Sequence, residues 1–176
     1  GFVAMAPDLY HGQETTEPDE AGKLLMEMRL DEAAKDMAAT VDALLAMPET
    51  TGDGVGVIGF CAGGGLALYL ASLKPEVTAT VCYYGFPREG LQWDLSAVKG
   101  AVLGHFAEHD DWASRELADG MERELRDAGV DVTFHHYPGT THAFFNDDRP
   151  EVHHAEAADQ SWQRTLAFLR EHLGSR

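Results

Sequence analysis

Cys61 stands in the segment GFCAGGG (59–65), between an apolar β-branched run, VGVIGF, and an apolar run of helical length, GGLALYLASL. A thiol in that setting reads as a nucleophile. A chain that passes from strand to helix through one tight turn lifts the turn residue clear of the sheet and aims the next helix's N-terminus at it. That helix end favours a thiolate and carries free N–H groups that can hold an oxyanion, the Ala62 N–H first among them. Gly59 and Gly63, two residues before and after Cys61, supply the small side chains that so sharp a turn demands. The competing reading is a buried thiol in a glycine-rich turn, because free cysteine is among the most buried residue types.

A thiol nucleophile needs a base, and the base needs an acceptor to orient it. Two further segments offer these groups. AEHDDW (107–112) places Asp110 and Asp111 just past a strand-like run, where a carboxylate can reach across the end of a sheet. Either aspartate could instead cap a helix beginning near residue 113, and for Asp111 capping is the preferred reading. PGTTHAFFN (138–146) places His142 in a loop after another strand-like run. Alone, His142 is an ordinary loop histidine in a chain with nine of them. Together, the order nucleophile, acid, histidine, each after a successive strand, is that of an α/β-hydrolase triad. Tyr84, Trp112, Phe144 and Phe145 flank these positions, either lining an acyl pocket or packing in a core or lid.

Positioning these residues requires strands that alternate with helices. Apolar runs predict strands over 1–6, 55–60, 77–84, 100–106 and 131–137. Residues 10–22 read as a loop. Apolar residues at helical spacing (Leu30, Ala34, Met37, Val41, Leu44, Leu45) predict a helix over at least 31–47, which Pro48 ends. Further helices are expected over 62–73, 113–128 and 151–173. The alternation implies one α/β domain over 1–176, a doubly wound, mostly parallel sheet with helices on both faces, its chemistry beyond the carboxyl ends of the strands. The chain opens in mid-strand pattern, so N-terminal strands of such a fold are expected to lie outside it.

The ordered pieces PDLY (7–10), GFCAGGG (59–65), YYG (83–85), HFAEHDDW (105–112) and PGTTHAFFN (138–146) resemble the dienelactone hydrolase family over nearly the whole chain. The resemblance implies an α/β-hydrolase fold with Cys61 as nucleophile, Asp110 as orienting acid (Asp111 as the fallback) and His142 as base. It also implies a small ester, lactone or thioester as substrate and an acyl-thioenzyme intermediate. In the family a strand and a glutamate-bearing loop precede the first strand read here, and an arginine that binds the substrate carboxylate stands near the position of Gly12, where this chain reads YHGQ.

Composition narrows the partners. Thirty acidic against thirteen basic residues leave a formal charge of −17, which repels nucleic acid and anionic membranes. Two cysteines are too few for a disulfide framework and fit a reducing cytoplasm. No apolar run approaches the length of a membrane span. The histidine pairs His105/His109, His135/His136 and His153/His154 lack metal-ligand spacing with a carboxylate, so neither metal nor cofactor is expected. A monomer or homodimer acting on a small molecule is expected. Two other readings stand. One is a cysteine-elbow amidotransferase or peptidase-like enzyme, disfavoured because Leu66-Ala67 follow the turn and Ala143-Phe144 follow His142. The other is a non-catalytic scaffold of the same fold.

Overall fold

The computed structural model describes residues 1–52, 54–88 and 90–173. By its internal packing the chain divides into two compact units, Gly1–Thr51 and Gly52–Arg176.

In the first unit, residues 1–6 form no strand. A strand exists only through the ladder it shares with a neighbour, and no described segment pairs with these residues. Phe2, Val3 and Met5 stay exposed. Asp8 then closes a turn by accepting the N–H groups of Tyr10 (3.0 Å) and Gly12 (2.6 Å). The expected loop over 10–22 is shortened because Pro18 opens a helix, α1 (Pro18–Glu27), with Asp19 and Glu20 in its first turn. Extended backbone at Met28 and Arg29 separates α1 from α2 (Leu30–Leu45). Ala34, Met37 and Val41 of the anticipated stripe are buried, together with Ala33.

The second unit holds a parallel sheet in the order β1-β2-β3-β4. Its strands are β1 (Val55–Phe60), β2 (Val77–Tyr83), β3 (Ala101–His109) and β4 (Val132–Thr141). Helix α3 (Ala62–Leu73) joins β1 to β2 and α4 (Arg115–Asp127) joins β3 to β4, the segment between β2 and β3 carries a 3-10 turn (Leu95–Ala97), and α5 (Ala155–Leu173) follows β4. Side chains alternate between sheet faces, so register partners share a face. Gly59, Cys82, Gly104 and Phe134 lie in one row. A Cβ on Gly59 would stand 1.9 Å from the Gly63 carbonyl oxygen of α3, and the Phe134 N–H reaches Glu122 of α4. The neighbouring row, Phe60, Tyr83, His105 and His135, faces α5, where Tyr83 and His105 both meet Thr165. Helices α3 and α4 therefore cover one face and α5 the other, as the doubly wound pattern requires.

Both β3 and β4 run beyond the expected ends, to His109 and Thr141, because polar residues continue a ladder that hydrophobicity alone does not reveal. Helix α4 starts at Arg115 and is capped by Ser114, whose hydroxyl accepts the Leu117 N–H at 3.3 Å. The cap is Ser114 and not Asp111. Helix α5 starts at Ala155, four residues later than expected, after turns over 151–152. Cys82 is fully buried and donates to the Gly85 carbonyl, a packing thiol whose titration burial pushes up to about 12.

Candidate active site

Cys61 sits between β1 and α3 with φ 53° and ψ −121°, a conformation that non-glycine residues adopt at a cost. The surrounding glycines make it possible. Besides the contact at Gly59, a Cβ on Gly65 would lie 2.0 Å from the Phe86 carbonyl oxygen, and one on Gly85 would lie 1.9 Å from that of Cys61. Gly63, expected to be essential to the turn, has open space around it. Close approach is needed instead at Gly59 and Gly65, and across the turn at Gly85. The turn is pinned by the Cys61 N–H to the Tyr83 carbonyl (3.0 Å) and by the Gly64 N–H to the Cys61 carbonyl (2.9 Å). The residue is exposed at the carboxyl end of the sheet.

Asp110 follows β3 by one residue and His142 follows β4 by one. The structure brings them to Cys61 in a chain of two hydrogen bonds. His142 Nε2 lies 3.2 Å from Cys61 Sγ, and His142 Nδ1 lies 2.8 Å from Asp110 Oδ2. The other carboxylate oxygen of Asp110 accepts the N–H groups of Trp112 (2.8 Å) and Ala113 (2.9 Å). One side chain thus both stabilises its own turn and orients the imidazole. Asp111 is exposed and takes no part.

The charges reinforce one another. The hydrogen bond that His142 donates to Asp110, then that with Cys61, raises His142 to about 9 against the opposing effect of burial. The hydrogen bond with His142 lowers the Cys61 thiol and outweighs its desolvation, and the Ala62 N–H helps. Burial works against ionised Asp110, yet hydrogen bonds from His142, Ala113 and Trp112 together hold it below its ordinary value. The arrangement favours thiolate, imidazolium and carboxylate in sequence.

The four flanking aromatics divide. Tyr84, with φ 37°, is buried, and its ring meets His142 edge-on at 5.1 Å. Phe144 is fully buried between Tyr84 and Tyr137, so its ring belongs to the core. Phe145 joins Phe60, Tyr83 and Trp162 in one aromatic cluster. Trp112 is 81% exposed and packs into no wall of the second unit. Sequence reasoning missed Phe60 and Trp162. Phe60 precedes the nucleophile on an apolar strand and reads as core, and Trp162 reads as one more apolar helix residue. Among the described residues, no three histidine, cysteine or acidic side chains gather as metal ligands. Among them too, no helix is long and apolar enough to cross a membrane.

A parallel sheet covered on both faces, with a strained residue between a strand and the helix that follows, defines an α/β-hydrolase fold. The crystal structure of a provisionally assigned dienelactone hydrolase from Klebsiella pneumoniae shares it, with a TM-score of 0.81, 24% identity and coverage of 94% of this chain and 73% of that one. The model of the dienelactone hydrolase family matches residues 1–173, and the chain belongs to that family. It is 37% identical over 177 residues to the protein usf of Aquifex pyrophilus, covering 98% of this chain and 76% of that one. It is 36% identical, with the same coverage, to a provisionally named carboxymethylenebutenolidase of Aquifex aeolicus. The protein is a dienelactone hydrolase-like hydrolase.

Proposed function

We propose that the protein hydrolyses a small ester, lactone or thioester through a Cys61–His142–Asp110 triad and an acyl-thioenzyme intermediate. The observation that carries this reading is the unbroken chain from Sγ through the imidazole to the buried carboxylate, at the carboxyl end of the sheet. The Cys61 proton passes to His142 Nε2, and the thiolate sulfur attacks the carbonyl carbon. The oxyanion is held by the Ala62 N–H and one further donor. As the C–O bond (C–S for a thioester) breaks, the imidazolium gives its proton to the departing oxygen or sulfur. His142 then draws a proton from water, the resulting hydroxide attacks the thioester, and Cys61 leaves with the proton returned to it. Asp110 holds the ring in the tautomer with Nδ1–H and stabilises the imidazolium. The family's name and that of the Aquifex aeolicus relative both denote lactones, so a lactone is the favoured substrate; ring opening would leave the alcohol attached to the acyl group. Two free cysteines support a reducing, cytoplasmic setting.

The test is a p-nitrophenyl acetate burst. The wild type should release p-nitrophenolate in a rapid phase stoichiometric with protein, and Cys61→Ala should abolish both burst and turnover. Full turnover by folded Cys61→Ala sinks the proposal. A folded wild type with neither burst nor turnover points to a scaffold.

A further inference from the structure

Strands β3 and β4 are paired with a constant offset until the sheet nears the site. Val102 faces Val132 and Ala107 faces Tyr137, an offset of 30 residues, but His109 faces Thr141, an offset of 32. Opposite Glu108 alone, β4 carries Pro138, Gly139 and Thr140, with Gly139 in the left-handed region at φ 72°. The two extra residues decide the chemistry. An unbroken register would set residue 140 opposite Asp110; the bulge sets His142 there, 32 residues on.

Such a bulge frees backbone groups from the ladder, and each needs a partner. Two side chains supply them. Glu108 Oε2 accepts the Gly139 N–H at 2.7 Å. Thr140, almost fully buried, donates its hydroxyl to the Tyr137 carbonyl at 2.7 Å and accepts the Glu108 N–H at 3.4 Å. The threonine hydroxyl thereby stands in for the missing backbone bridge, and the carboxylate closes the other side. His109 Nε2 lies 3.5 Å from the same Glu108 oxygen.

We propose that Glu108 and Thr140 are positioning residues: they hold the two-residue bulge of β4 and so place His142 against Asp110 and Cys61. The proposal rests on the triad reading above, and neither residue is assigned any contact with substrate.

The experiment pairs p-nitrophenyl acetate kinetics with the pH dependence of Cys61 alkylation by iodoacetamide, Cys82 being buried and out of reach. Glu108→Ala should lower kcat about tenfold or more, the scale at which small displacements of a catalytic group act, with KM within about twofold. The midpoint of Cys61 alkylation should rise toward that of an ordinary thiol as the imidazole drifts away. Glu108→Gln, whose amide oxygen can still accept the Gly139 N–H, should recover most of the loss. Thr140→Val should repeat the defect and Thr140→Ser should spare most of it, which keeps the test decisive if one variant folds poorly. Wild-type kcat and an unshifted alkylation curve in Glu108→Ala overturn the proposal, as does a loss confined to KM. If Cys61 of the wild type itself titrates as an ordinary thiol, the triad reading fails first; a perturbed wild-type thiol that Glu108→Ala leaves unchanged defeats the positioning role alone.

Discussion

Two histidines in the same half of the sheet make the same number of hydrogen bonds and come out opposite. His105 lies inside β3, fully buried, with Nδ1 2.8 Å from the Tyr137 hydroxyl and Nε2 3.1 Å from the Thr165 hydroxyl. Burial, reinforced by His135 and Arg164, pulls it down to about 3. His142, one residue past β4, is raised to about 9 by Asp110 and Cys61. The difference lies in the partners. Hydroxyls satisfy an imidazole without favouring its charge, whereas a carboxylate and a thiol stabilise the imidazolium. Position in the sheet selects the partners. A mid-strand residue receives what β4 and α5 present to it, here Tyr137 and Thr165. Past the strand ends the backbone is free to gather acidic and nucleophilic side chains from separate loops.

The comparison breaks most sharply at Asp110. Asp110→Asn keeps an oxygen for the Trp112 and Ala113 N–H groups but removes the charge that holds His142 protonated. With p-nitrophenyl acetate, kcat should fall by about a thousandfold or more, the scale known when a triad aspartate becomes an amide. The alkaline limb of the rate profile, expected near the His142 value of about 9 in the wild type, should move toward lower pH. A full-rate Asp110→Asn enzyme with an unmoved limb would mean that something other than this carboxylate sets His142.

The buried counterpart should respond in stability and hardly in rate. Thr165 Oγ1 serves both His105 Nε2 and the Tyr83 hydroxyl (2.9 Å). Thr165→Val preserves shape, strands His105 Nε2 and leaves the Tyr83 hydroxyl its hydrogen bond with Ser161, at a cost of about 1–3 kcal/mol. Urea melts should register that loss while kcat stays within about twofold of wild type. A large drop in kcat with unchanged stability would show that the interior network feeds the rim, and the contrast between the two histidines would lose its meaning.

How much of this was legible in advance follows the same division. The strand over 55–60, the helix over 62–73 and the order Cys61, Asp110, His142 were readable because apolar periodicity and chain order are local or topological properties. The strand expected over 1–6 was not secured, since apolarity states a preference and only a neighbouring ladder makes a strand. The break at Met28–Arg29 has no proline or glycine to announce it. The turn's steric demands were placed on Gly59 and Gly63 when they fall on Gly59, Gly65 and Gly85, because the contacts at Gly65 and Gly85 join the turn to a segment about twenty residues downstream. The offset change between β3 and β4 was invisible for the same reason: Glu108 and Thr140 look like ordinary loop polars until the register shows what they bridge.

The two histidines should also weaken the fold at opposite ends of the pH scale. His142 has a native value of about 9, above its ordinary 6.5, so the native state holds the proton more tightly than the unfolded chain. Its contribution is full below about 6.5 and drains away as pH rises through 9. His105, held at about 3, is the reverse: the unfolded chain takes up a proton that the native state refuses, so stability is lost as pH falls from about 6.5 toward 3. The lowered Cys61 thiol has the opposite sign and offsets His142 below its own ordinary 9. The loss is therefore read in Cys61→Ala, where Asp110 still raises His142: urea melts of that variant from pH 6 to 10 should show stability declining toward the alkaline end. Adding Asp110→Asn should flatten that decline, because its His142 no longer binds the proton with special affinity. A double-mutant curve running parallel to that of Cys61→Ala through pH 9 would assign the alkaline loss to other groups and detach His142 from the carboxylate that distinguishes it from His105.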